Sequence, residues 1–140
     1  MIDLIALVAS ILGLIDAGYL SYSKLNSANL VCSKAIGDCN SVNASQWSTL
    51  AGIPIAYLGF AAYVALILLI LFGKKIKFIA AYADYLYFFI TLVGFLFSAY
   101  LTYIEAFVLK TFCQWCLVSA LMMTILFSIS VIKLARRQRQ

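Results

Sequence analysis

The chain has no histidine, a single proline and little charge: of its 140 residues, 11% are Asp, Glu, Lys or Arg. With no histidine, zinc loses its commonest nitrogen ligand. One proline and seven glycines argue against a disordered or repeat-built chain. The scarcity of charge excludes more. At 66% hydrophobic residues and a mean hydropathy of +1.06, a soluble domain of this length could not hide its apolar surface, so its solvent is lipid. The formal net charge of +5 could suggest a polyanion. The basic residues gather at the edges of apolar runs, however, and no nucleic-acid partner is expected.

Four of those runs are long enough to cross about 30 Å of hydrocarbon, which takes roughly 20 residues of helix. They cover about 4–22, 53–72, 84–104 and 113–132. Lipid tolerates no irregular backbone, so each is predicted to be an α-helix. The expected architecture is an all-α membrane protein, a four-transmembrane-helix bundle forming one domain over residues 1–140. The first run lacks a basic leader and a small-residue cleavage site, so it is expected to be a retained span. Between the first two runs lies a loop, 23–52. Its segment from Ser41 to Leu50 spaces Val42, Ala44, Trp47 and Leu50 among polar residues, the pattern of a short interfacial helix capping the pocket. Gly52-Ile53-Pro54 then opens the second helix, with proline where no backbone donor is needed.

Basic residues set the orientation. Lys74, Lys75, Lys77, Lys133, Arg136, Arg137 and Arg139 fall on one side, against Lys24, Lys34 and Lys110 on the other. The positive-inside rule puts both termini in the cytoplasm and the 23–52 loop outside. The expected location is the inner or plasma membrane of the cell, or the ER membrane if the cell is eukaryotic. All four cysteines then lie on the outer, oxidising side.

They fall into two pairs. Cys113-Gln114-Trp115-Cys116 places a C-x-x-C motif at the start of the fourth helix, where one turn brings two sulfurs within reach and the helix N-terminus favours a thiolate. The thiolate is the form that attacks a disulfide or a quinone. Cys32 and Cys39 lie in the polar loop, and six intervening residues with a glycine can close a disulfide. Two inert readings stand beside this one: a structural staple for the loop, and a four-cysteine zinc site, although zinc sites usually use shorter spacing in both halves.

Asp16 lies inside the first run, where an acid is costly and function is the default reading. It could exchange a proton during quinone chemistry, or sit paired or neutral near the interface. It also permits an alternative of another class, a small proton-coupled exporter. Asp84 and Glu105, at the ends of the third helix, are expected to be solvated boundary charges, and the aromatic residues of that helix to serve packing.

The order of these features resembles the vitamin K epoxide reductase family over nearly the whole chain. The matching features are the loop pair Cys32 and Cys39, Ser45 six positions later, Gly-Ile-Pro opening helix two and C-x-x-C opening helix four. The form expected is a prokaryotic-type homologue without a fused thioredoxin-like domain. The resemblance implies a thiol:quinone oxidoreductase supporting disulfide bond formation. A separate thioredoxin-like (DsbA-like) protein would deliver electrons at Cys32, Cys39 would exchange with Cys113, and Cys116 would reduce a membrane quinone of the ubiquinone, menaquinone or vitamin K type. Animal members hold the quinone oxygens with an asparagine before helix two and a tyrosine after the C-x-x-C. Ala51 and Ala120 occupy those positions here, which sets this chain apart from an animal-type vitamin K epoxide reductase, the alternative within the family. A quinone pocket is expected around Ser45, Ala51, Ile53, Ala120 and Asp16.

Overall fold

The computed structural model of the protein describes residues 1–26, 32 and 37–140. Expectations resting on 27–31 and 33–36, including the place of Lys34 in the charge count, lie outside the described residues. Helix α1 spans Ile2–Asn26. Next come a short helix α2 (Cys39–Ala44), a 3-10 turn (Gln46–Ser48) and a hairpin of β1 (Thr49–Leu50) with β2 (Ile53–Pro54). Helix α3 follows at Ile55–Phe72, a one-turn helix α4 at Lys77–Ala80, and α5 at Ala83–Ile104, prolonged by a π turn over Glu105–Leu109. Helix α6 closes the chain at Gln114–Arg139. Helices α1, α3, α5 with its π turn, and α6 are each long and apolar enough to cross a membrane. The four-helix membrane bundle is therefore as the hydropathy predicts.

The helix boundaries differ from the sequence expectation in informative ways. Helix two begins at Ile55 rather than Ile53, because Ile53 and Pro54 pair with Leu50 and Thr49 in an antiparallel ladder. The turn between the strands puts Ala51 and Gly52 at φ 53° and 85°, the positive values that a tight two-residue hairpin needs. The segment 41–50 is not one interfacial helix. Asp38 caps α2 early by accepting from the backbone N–H groups of Asn40 and Ser41 at 3.1 and 3.3 Å, and Ser45, extended at ψ 157°, ends it.

Helix α1 packs on α3 and α6, and α5 packs on α6; α3 and α5 diverge around a cavity. In lipid no hydrophobic force drives helices together, so close packing of small residues and buried hydrogen bonds must do it. Ala6, Ala9 and Ala17 of α1 supply the small surface against Tyr63, Leu66, Met123 and Leu126. Gly13 lets the Tyr63 ring lie on the α1 backbone: a Cβ there would come within 2.8 Å of Tyr63 Cδ1. On the other side Thr91 donates to the Tyr87 carbonyl at 3.0 Å and lies 3.0 Å from the Ser130 hydroxyl.

One end of the bundle is tied by charge. Asp3 pairs with Lys133 and with Lys74 at 3.3 Å. Asp84 pairs with Arg137 at 3.1 Å, and that guanidinium also donates to the Ala81 carbonyl at 2.7 Å. The carboxylate of Asp84 is therefore an anchor for the tail helix. The chain start, the α3–α5 link and the tail meet here, at the opposite end from the cysteines.

Candidate active site

Three elements converge at the cap end. Cys113 is the residue that precedes the first turn of α6, and Leu117 N–H bonds its carbonyl at 3.0 Å, so the C-x-x-C motif is the helix opening itself. Cys39 is the first residue of α2, held by the Asp38 cap. The loop carrying it lies against the strand of chain before α6: Asp38 N–H donates to Thr111 Oγ1 at 2.8 Å. Gly37 allows this contact. A Cβ there would lie 2.6 Å from Phe112 N and 2.7 Å from Thr111 Oγ1, and nearer still to the Phe112 carbonyl oxygen, distances that no side chain tolerates.

The result is a small buried cluster in which Cys39 and Cys113, both 0% exposed, pack together with Leu20 and Val42. Cys32, Cys116, Tyr19 and Trp115 pack around it as partly buried neighbours. Trp115 rests on Tyr19 of α1 with ring centroids 4.8 Å apart. Cys32 and Cys39 form a disulfide, whereas Cys113 and Cys116 are free thiols. The Cys113 thiol is held below the usual thiol range, first by the Cys116 side chain and then by the backbone N–H groups of Cys116 and Trp115. Burial and the nearby Glu105 charge oppose that shift. No strict side-chain cap bond forms at Cys113, so the helix N–H groups act on the sulfur by proximity.

Beneath the cluster lies a cavity of about 610 Å³, within the range of small-molecule sites. Its walls are mostly apolar residues of α3 and α5; Asn43, Ser45, Ser48, Glu105 and Cys116 line it toward the cap, and Tyr63, Ser98, Thr102 and Ser119 line it along the helices. Cys116 lines it; Cys113 does not. Lys24 of α1 holds the cap over the opening, donating to the Asn43 carbonyl at 2.6 Å and to Ser48 Oγ at 2.9 Å.

Of the pocket residues expected from sequence, Ser45 lines the cavity, while Ala51, Ile53, Ala120 and Asp16 do not. Ala51 sits in the exposed hairpin turn, and Ile53, in β2, is 49% exposed. Ala120 is one residue too far around α6; Ser119 takes the place, its Oγ 3.0 Å from Tyr63 Oη. Asp16 is buried in α1 with neither carboxylate oxygen hydrogen-bonded among the described residues.

Glu105 corrects the sequence reading. It is no solvated boundary charge: it is 3% exposed, lines the cavity and accepts a hydrogen bond from Cys113 N–H at 3.2 Å on Oε2. Its inward aim follows the helical period of α5, on which Gly94, Ser98, Leu101 and Glu105 line the cavity together. The π turn that begins with Glu105, followed by Lys110 at a left-handed φ of 55°, then turns the chain back toward α6. Comparison with known protein families finds a match: a model of the vitamin K epoxide reductase family covers residues 4–131.

Proposed function

The chain belongs to the vitamin K epoxide reductase family, and on that basis we propose that it is a thiol:quinone oxidoreductase. The family implies redox chemistry of the quinone or vitamin K epoxide reductase type, with quinones as reactants. In our reading the protein oxidises a thioredoxin-like partner through Cys32 and Cys39, passes the electrons to Cys113 and Cys116, and reduces a membrane quinone of the ubiquinone, menaquinone or vitamin K type. Both termini face the cytoplasm, and the cysteines face the oxidising side. The quinone is a substrate that arrives from the bilayer.

One observation carries this reading. The two fully buried cysteines, Cys39 and Cys113, pack on each other's surroundings, while Cys116 opens onto the cavity. Partner dithiol reduces the loop disulfide by attack at Cys32, leaving thiols at Cys32 and Cys39. Cys39 thiolate then attacks Cys113 of a Cys113–Cys116 disulfide, and Cys116 leaves as thiolate. Cys32 resolves the mixed disulfide, closing the loop pair and freeing Cys113. A bonded loop pair and free helix thiols, as in this structure, are compatible with that end point. The dithiol then gives two electrons and two protons to the quinone, forming quinol and the helix disulfide. For each tenfold bias in such an exchange, the potentials differ by about 30 mV.

Cys116→Ser should abolish quinone reduction by the purified protein; retained turnover would remove Cys116 from its role. A disulfide between Cys39 and Cys113, trapped in a Cys32 or Cys116 variant, is expected only of a relay. Inert staples would not exchange. The cysteine geometry also weighs against an exporter built on Asp16, since that residue lies outside the cavity lining. Asp16-dependent binding of a lipophilic cation, surviving removal of all cysteines, would reverse that judgement. The alanines at 51 and 120 leave an animal-type epoxide reductase without its expected polar pair.

A further inference from the structure

The chain spends a buried carboxylate beside its reactive thiols and gives it no cation. Among the described residues, no Lys or Arg forms an ion pair with Glu105; the ion pairs fall on Asp3 and Asp84, at the other end. Its partner is the backbone beside the reactive sulfurs: the Cys113 N–H donates to Oε2 at 3.2 Å, and Glu105 and Cys116 line the same cavity. The Thr111 N–H fixes the Glu105 carbonyl at 3.1 Å, so the backbone that aims the side chain is itself held. Asp16, the other buried acid, neither lines the cavity nor meets a hydrogen-bond donor among the described residues. Of the buried acids among the described residues, only Glu105 both meets the C-x-x-C segment and lines the cavity.

Building on the reading above, we propose that Glu105 is a catalytic proton carrier between the thiol pair and the quinone. Its carboxylate accepts the Cys116 Sγ proton as that sulfur gives up electrons, and delivers it to the quinone oxygen on the cap side of the cavity. The second proton leaves Cys113 to water when its thiolate forms, and the second quinone oxygen takes one from water. The sum is dithiol plus quinone giving disulfide plus quinol. Glu105 is the carboxylate among the described cavity-lining residues, so without it the first proton has no ionisable acid–base group beside Cys116 to carry it across the mostly apolar lining.

Glutamine separates this role from a structural one. In Glu105→Gln the side-chain oxygen still accepts the Cys113 N–H, but the group can carry no proton; Glu105→Asp keeps the acid on a shorter arm. Reduced full-length protein in lipid nanodiscs is mixed with menadione and the single-turnover oxidation of the helix pair is followed, alongside transfer from Cys39 to Cys113. Glu105→Gln is expected to slow oxidation by menadione about a hundredfold, with Cys39-to-Cys113 transfer unchanged. Glu105→Asp should recover most of the lost rate. Oxidation of Glu105→Gln at the wild-type rate overturns the proposal, as does equal loss of both steps in both variants, which would make Glu105 a structural residue. A wild-type protein that transfers electrons to Cys113 yet never reduces menadione would instead defeat the underlying quinone reading.

Discussion

The two cysteine pairs are built on opposite principles. Cys113 and Cys116 are placed locally: one helical turn fixes their spacing, and the helix opening supplies the N–H groups that favour a thiolate. Cys32 and Cys39 owe their position to contacts far away in sequence. The Asp38 N–H on Thr111, the bare α-carbon of Gly37 against Phe112 and the Lys24 latch on the cap bring the loop to the helix. In each pair one sulfur is buried and one is only half-buried, and the buried two share a cluster. A local pair is robust and a long-range pair adjustable. In the proposed relay, electron transfer between them would depend on how the cap docks.

The sharpest way to break this symmetry is to remove its centre. Cys113→Ala should stop transfer from the loop pair and quinone reduction together, a loss of at least about a thousandfold in single-turnover assays; surviving transfer would mean that electrons bypass Cys113. A subtler break leaves both pairs chemically intact. Gly37→Ala forces a Cβ into the Phe112 backbone, and overpacking of this kind costs about 1–3 kcal/mol. Transfer from the loop pair should slow about ten- to a hundredfold. Direct reduction of the helix disulfide by dithiothreitol should stay at the wild-type rate, and equal slowing of both would show that the docking distinction is false.

Smaller effects sharpen the same contrast. Lys24→Met removes two hydrogen bonds from the cap, each worth about 1 kcal/mol net. Amide exchange over Asn43–Ser48 should quicken at least about tenfold, with α6 unaffected. The local pair should respond instead to pH. An ordinary thiol titrates near about 8.5, and the Cys113 thiol, stabilised as thiolate first by the Cys116 side chain, should titrate below that. The associated stability is fully present above the ordinary value and fades as pH falls through the lowered one. Thiolate absorbance of the reduced protein, compared with Cys113→Ala, measures the midpoint; a value at or above the ordinary one would contradict the assignment.

How far the molecule was legible in its sequence follows the same divide. The spans could be read because a membrane helix announces itself through some twenty apolar residues in a row. The C-x-x-C motif could be read because helix geometry makes its spacing meaningful. Glu105 could not, because an acid at the end of an apolar run reads as a solvated boundary charge, and nothing local shows that the Cys113 N–H will meet it. Lys24 looked like a boundary charge, because nothing local reveals a bond to Ser48, 24 residues on. Of the residues expected around a quinone, Ser45 lines the cavity, but Ala51 sits in a hairpin and Ala120 lies one step around α6 from Ser119. Chain order does not fix which way a side chain turns.

The uneven walls of the cavity also bear on selectivity. Asn43, Ser45, Ser48 and Glu105 line it by the cap and Ser98 and Thr102 along α5, while Ala61, Ala62, Ala65, Val93 and Gly94 leave much of the wall smooth. If a quinone binds there as proposed, a few polar contacts would discriminate among head groups, and the smooth wall would let tail length change residence time rather than identity.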